Sequence, residues 1–313
     1  MSVSPRTAVL AAGVLALGLV PVAAAALQQP FYVDLFRRMM IFAIAAVSLD
    51  LVLGYGGMVS FGHAAYLGIG AYAVGILAHH GIVSGFLQWP LAIGASAVLA
   101  LLIGAVSLRT SGVSFIMITL AFTQMLYYLG ISLEAYGGDD GMRLPARSQF
   151  GGLVDLRDPA AFYYVVLGIL VGFVLLGRRL TESRFGMVVR GARSNELRMR
   201  AIGFTTFAYK LAAFVVAGAM CGMAGALLVN QTEYLTPEFM HWTRSGDIMF
   251  MVILGGMGTL VGPVIGAVAF LLLEDLLSAW TVHWQIILGP VLVLVVLYAR
   301  RGLAGLLPGG RGG

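Results

Sequence analysis

Residues 191–203 read GARSNELRMRAIG. They lie within 178–210, a run of eight basic and two acidic residues in a chain of which only 11% is charged. A soluble domain is about 25% charged and roughly 45–50% apolar, whereas this chain is 60% hydrophobic. That composition excludes an ordinary globular protein and predicts an integral membrane protein, and the basic run then sets its orientation. Cytoplasmic loops collect Arg and Lys, so 178–210 is read as cytoplasmic. The net charge of +5 belongs to such loops and not to nucleic-acid binding, because no soluble basic domain is present. Cys221 is the only cysteine, so no intrachain disulfide can form.

Working outward, apolar segments fall at 8–27, 39–53, 61–80, 89–108, 113–131, 162–177, 211–230, 246–275 and 283–299. The first resembles a secretory signal peptide, with Arg6 before the apolar run and Ala24-x-Ala26 after it. Its run reaches about 20 residues, long enough to span, and a retained first helix is expected. Counting crossings from the basic run makes 132–160 a periplasmic loop and puts Arg109 inside. The 233–242 region then falls outside, and the tail with Arg300, Arg301 and Arg311 inside. Parity requires 246–275 to return to the side on which it starts. The stretch LGGMGTLVGP supplies the break with Gly255, Gly256, Gly258, Gly262 and Pro263. Two short helices folded back at the glycines are expected, although a tight turn between ordinary helices would also satisfy parity. LGYGGMVSFGH, 53–63, is a second break, either at the cytoplasmic end or within the bilayer. Arg37 and Arg38 then fall outside, against the positive-inside pattern.

Small residues at helical spacing mark packing faces: Ala64, Gly68, Ala71 and Gly75; Gly218, Gly222 and Gly225; Gly262 and Gly266. The fold class predicted is all-α, a polytopic transmembrane bundle of about eight to ten spans including broken helices. It forms one membrane domain over 1–313.

Within the basic run, Ser194 is read as an N-cap, Glu196 as a first-turn acid and Gly203 as an αL C-cap. A helix of about eight residues results, with Leu197, Ala201 and Ile202 on an apolar face and arginines flanking it. So short a helix is unstable alone in water, so it must pack on its own chain or on a partner. The plainer alternative is a solvated loop touching anionic membrane lipid.

Three blocks carry a resemblance to a known family. SLDLVLGYGGMVSFGHAAYLGIGAYAVGIL (48–77) is similar to its early glycine-rich block. RFGMVVRGARSNELRMRAIGFTTFAYKLAAFVVAGAMCGMAGALLV (184–229) is similar to its cytoplasmic coupling segment and the helix that follows. FMVILGGMGTLVGPVIGAVAF (250–270) is similar to its Gly-Gly-x-Gly block. Together they cover about a third of the chain, in order, and resemble the M-type inner-membrane permease of branched-chain amino acid ABC importers. The resemblance implies a second permease, two cytoplasmic P-loop ATPase subunits and a periplasmic solute-binding protein as partners. It implies a coupling helix near 194–203, with Arg193, Glu196, Leu197, Arg198 and Arg200 meeting the ATPase and Gly203 ending the helix. The chain itself has no G-x-x-x-x-G-K-[ST], so ATP and Mg²⁺ are expected on the partner and no cofactor on this chain.

Polar residues in the apolar segments are candidates for the solute path: Asp50, Gly56, Gly57, Ser60, His63, Thr119, Thr123, Gln124, Gly255 and Gly256. Three roles are open to Asp50: lining the path, bonding backbone freed at the nearby break, or sitting at the interface, where the cost of a buried charge fades. His63 is read as a cap or packing residue before a proton relay. Thr119, Thr123 and Gln124 are read as cross-helix hydrogen-bonders before solute contacts. Tyr66, Tyr72, Tyr127 and Tyr128 are interface anchors or pore wall. No metal spacing such as HExxH and no catalytic set is found, so no enzyme activity is expected. The alternatives carried forward are an ion-coupled secondary transporter of small polar solutes, and an ABC permease for urea or short amides.

Overall fold

The computed structural model describes residues 5–281, 283–298 and 302–306. Six helices precede the basic run: α1 (Pro5–Ala26), α2 (Phe31–Asp50), α3 (His63–His79), α4 (Gly85–Ser107), α5 (Val113–Ser132) and α6 (Pro159–Glu182). The run itself forms two short helices, α7 (Arg184–Ser194) and α8 (Glu196–Ala201). Four helices follow: α9 (Thr206–Thr232), α10 (Trp242–Gly255), α11 (Gly262–Trp280) and α12 (Trp284–Tyr298). The chain is therefore an all-α, multi-pass membrane bundle. Five helices, α4, α5, α6, α9 and α11, are long and apolar enough to cross a bilayer among the described residues. α9 is the axis: 78% of its apolar window is buried, against 28–33% in the other four. Arg300, Arg301 and Arg311 lie outside the described residues.

The bundle has two distinguishable ends. α6 enters the basic run and α9 leaves it, so their other ends, near Pro159 and Thr232, mark the far end. The start of α2 lies there too: Arg37 donates to the Pro159 carbonyl at 3.5 Å, and Gln231 donates to the Asp34 carbonyl at 2.9 Å. The far-end arginines that break the positive-inside pattern are each neutralised. Arg37 pairs with Asp34 and lies 4.6 Å over the Phe162 ring, and Arg38 pairs with Glu274 at 3.5 Å.

Segment 132–160 is pinned down rather than loose. Met142–Arg143 pairs antiparallel with Tyr234–Leu235. Arg147 bridges to Glu233 at 2.8 Å, and Asn230 accepts the Ser148 N–H at 2.8 Å.

The glycine stripes do what small residues do in lipid: they let backbones touch. A Cβ on Gly225 would sit 1.8 Å from the Leu67 carbonyl oxygen, and one on Gly70 would sit 2.0 Å from the Gly222 oxygen. α3 and α9 thus cross backbone to backbone. α10 and α11 do the same, with Gly255 against Gly262 and Gly266 against Met251. The 246–275 segment is therefore two helices folded against each other, separated by Gly256–Val261 with Gly256 at φ 114° and Gly258 at φ 76°. α10 has only 14 residues, a rise of about 21 Å, short of the roughly 30 Å of a hydrocarbon core.

Candidate functional site

Irregular backbone inside a bilayer must find its hydrogen-bond partners within the protein. The two breaks meet this demand at two polar knots, and nearly every residue expected to line a path belongs to one of them.

The first knot is at the basic end. α2 runs through Asp50 into a π-helical turn, Leu51–Tyr55, which widens the helix and exposes its carbonyls. Asp50 is fully buried, and its two carboxylate oxygens accept the N–H groups of Gly258 (2.7 Å) and Leu260 (3.3 Å) from the α10–α11 break. Asp50 thus binds backbone, of the second break and not of the nearby first one. Gly54 has no side chain because one would strike Asp50 and Gly258. Arg193, at the end of α7, donates to the Gly54 carbonyl and lies across Gly57, which has φ 67°. Gly302, after α12, returns to the same place against Gly256. The basic segment, both breaks and the C-terminal turn thus meet at one point.

The second knot lies deeper along the first break. Phe61 is its centre: the Phe61 carbonyl accepts the hydroxyls of Thr123 (2.8 Å) and Ser245 (2.7 Å), and its N–H reaches the Thr119 hydroxyl at 3.2 Å. The Ser245 oxygen also accepts the Ala64 N–H at 2.9 Å, and the Ser60 oxygen accepts the Gly62 N–H at 3.0 Å. Thr119 and Thr123 therefore satisfy a broken helix. Gln124, one residue on, turns away from that knot and leaves its buried Oε1 unpaired. His63 starts α3, fully buried, its ring edge-on to Tyr66 at 5.5 Å. Gly56 packs within the π turn, and Gly255 and Gly256 pack on α11 and Gly302. Ser245 was not singled out from the sequence; a lone serine in the first turn of a helix carries no signal that it will serve a break 180 residues away.

The basic segment differs from expectation in its details. The N-cap is Asn195 and not Ser194: Ser194 still belongs to α7, and the Asn195 side chain accepts the Arg198 N–H at 2.9 Å. The helix spans six residues rather than about eight. Gly203 closes it at φ 92°, with its N–H bonded to the Arg200 carbonyl at 2.9 Å. Glu196 is engaged internally. It binds Arg200 (2.6 Å), the Thr206 hydroxyl (2.9 Å) and Lys210, which ties α8 to the start of α9. Arg193 reaches the break as described. Leu197, 78% exposed, and Ile202, 64% exposed, point away with Arg198 and Ala201, so the predicted apolar face does not pack on its own chain. Met199 is the residue that does, against Gly191.

Burial alone would raise the Glu196 carboxyl, but its bonds from Lys210, Thr206 and Arg200 outweigh this and hold it below the usual carboxylate range. A depressed folded value means that the clamp's contribution is present above the unfolded value of about 4.3 and is lost as pH falls through the folded one. E196Q should speed hydrogen exchange at the amides of 197–204 about two- to five-fold at neutral pH, as a half-exposed ion pair of roughly 0.5–1 kcal/mol allows. Wild type should converge on the variant, after correction for intrinsic rates, only in acid below about pH 4. Equal exchange at pH 7 would show that the clamp holds nothing.

Among the described residues there is no group of His, Cys, Asp or Glu that could hold a metal ion.

Residues 31–297 match the family model described as branched-chain amino acid transport system / permease component. The chain is 28% identical over 294 residues to the high-affinity branched-chain amino acid transport system permease protein LivM of Salmonella typhimurium, covering 87% of this chain and 69% of the relative. It is 27% identical to the protein of the same description from Escherichia coli, with the same coverage. It is 24% identical over 326 residues to a probable branched-chain amino acid transport permease protein LivM of Methanocaldococcus jannaschii, covering 86% and 90%. No solved structure matches the chain. The match takes in both breaks, the basic segment between them and the glycine-packed helices that frame them, and by it the chain belongs to the family of permease components of branched-chain amino acid transport systems.

Proposed function

We propose that this chain is one of two membrane subunits of an ATP-driven importer in the bacterial inner membrane. It moves branched-chain or related amino acids delivered by a periplasmic binding protein. ATP and Mg²⁺ are bound and hydrolysis occurs on two P-loop ATPases, one of which seats on α8. One observation carries this reading. α8 turns Leu197, Arg198 and Ile202 outward, while Glu196 clamps it to α9 and the neighbouring Arg193 reaches the Gly54 carbonyl. An exposed leucine and isoleucine flanking two arginines mark a surface suited to a partner. A helix held from beneath at two points can pass a push from that partner to both breaks.

The coupling roles expected from the sequence are thereby redistributed. Leu197 and Arg198 are the contact residues, Glu196 and Arg200 keep the helix in place, Arg193 links it to the bundle, and Gly203 lets the chain turn into α9. The ion-coupled alternative finds less support, because Asp50, the one clear charge expected within the apolar segments, is spent on holding the backbone of the α10–α11 break. Transport of urea or short amides by the same architecture is separated from amino-acid import only by the solute that stimulates ATPase activity.

The test is co-purification through a tag after Gly313 from gently solubilised native membranes. A second permease and a P-loop ATPase should accompany the chain. L197D/R198E should release the ATPase and leave the permease pair intact. Recovery of the chain alone, with solute transport in liposomes that lack ATP, would overturn the reading.

A further inference from the structure

We propose that a cavity at the far end of the bundle, between α2, α3, α9 and α10, is a transient subsite for a zwitterionic amino acid with an apolar side chain. The inference rests on the reading above and adds a place and a recognition chemistry to it. The cavity measures about 220 Å³, room for a small solute and not merely for one or two waters of roughly 30 Å³ each. Its walls are Phe42, Leu67 and Phe239, all buried, and its polar edge is Arg38, Arg244 and Thr232. None of these residues belongs to either knot.

The charges around the cavity come in both signs. Arg38 is met by Glu274 of α11 at 3.5 Å, and Arg244 by Asp247 of α10 at 3.5 Å. Asp247 is also within Coulombic reach of Arg38 and Glu274, so the four groups form one cluster. Two positive and two negative charges leave the cluster neutral. Each ion pair is a single long contact, well beyond the roughly 2.7–2.9 Å of a strong charge-assisted bond. A guanidinium has five N–H donors, so each arginine keeps free donors for a carboxylate; Glu274 and Asp247 do not line the cavity but stand directly behind its arginines, as the nearest acceptors for an ammonium. The phosphate of an anionic lipid would suit two bare arginines. A cluster of net charge zero suits a ligand that is itself neutral and carries both charges, and the aromatic and leucine walls suit the branched side chain between them. Ionisable residues inside a membrane segment are costly, roughly 2.5–3.5 kcal/mol each at the centre, and mark functional positions by default. Two of them, Arg38 and Arg244, line this apolar cavity at the end opposite the basic segment, each with its acid partner 3.5 Å away.

The test uses the intact transporter in lipid nanodiscs. Thr232→Cys puts a thiol on the cavity edge, and maleimide labelling of it is followed with wild type as the blank, since Cys221 is fully buried. L-leucine without the binding protein should slow labelling several-fold. Leucinol, which lacks the carboxylate, and 4-methylpentanoate, which lacks the ammonium, should each protect about tenfold less well, as loss of one charge-assisted contact predicts. Adding R38Q and R244Q should abolish protection while the permease pair still co-purifies. Labelling indifferent to leucine, protection that survives in the double Gln background, or protection by added phosphatidylglycerol instead of leucine would each overturn the subsite. Leucine uptake by the wild-type complex is measured in parallel. Its absence would sink the import reading, whereas uptake without protection would sink only the subsite.

Discussion

Gly266→Ala and Gly255→Ala should each abolish recovery of folded protein. A Cβ on Gly266 would lie 1.9 Å from the Met251 carbonyl oxygen, and one on Gly255 would lie 1.8 Å from the Gly262 oxygen. No side chain can swing aside, because the obstacle is backbone. α10 and α11 would have to separate, taking the Gly256–Val261 break off the Asp50 carboxylate. The cost belongs at the upper end of overpacking, about 3 kcal/mol or more. Gly168→Ala and Gly172→Ala in α6 are the controls, since nothing lies within 4 Å of either added Cβ. They should be neutral, or stabilising by up to about 1 kcal/mol through helix propensity. Thermal unfolding in detergent with size-exclusion recovery reads both sets. Equal melting of Gly266→Ala and Gly172→Ala would mean that the close crossing of α10 and α11 is wrong.

Asp50→Ala should be the most damaging substitution of a single polar residue. It leaves the Gly258 and Leu260 N–H groups buried without acceptors, at about 1–3 kcal/mol each. Asp50→Asn keeps one acceptor oxygen but turns an NH₂ group toward the second donor, so it should fall between alanine and wild type. Melting temperature should follow the order Asp, Asn, Ala, and limited proteolysis should cut first within 256–261. An alanine variant that melts like wild type would show that solvent or lipid headgroups, and not Asp50, satisfy the break.

The helices were readable because composition and the positions of charge carry them. The apolar windows fall on α1 to α6 and α9 to α12, and the parity argument placed a fold-back at LGGMGTLVGP, where α10 and α11 separate. The glycine stripes were also readable, since only small residues at that spacing permit backbone contact. The partners within the site were not. That Asp50 serves Gly258 and Leu260, or that Thr119, Thr123 and Ser245 serve Phe61, depends on which helices meet. Sequence spacing says nothing about contacts 58 to 210 residues apart. The N-cap was misassigned because Ser194 and Asn195 are both good caps. Geometry chose Asn195 because α7 continues through Ser194. The cavity at Arg38 and Arg244 was invisible for the same reason as the knots: its six named residues come from three stretches far apart in the chain, 38–42, 67 and 232–244.

The close crossings also govern how the protein can move. Side-chain interfaces absorb displacement by changing rotamers, whereas a carbonyl lodged against a glycine Cα has nothing to rearrange. α3 with α9, and α10 with α11, therefore behave as two stiff double rods. α5 contrasts with them: it exposes Val113, Met117, Met125, Tyr128 and Leu129, and the Thr119 and Thr123 hydroxyls tie it to the first break. A displacement of α9 at Lys210 would therefore carry α3 with it. Between these rods the chain at Gly56–Gly62 is held by side-chain hydroxyls and not by helix ladder, so it is tied by bonds that can exchange partners.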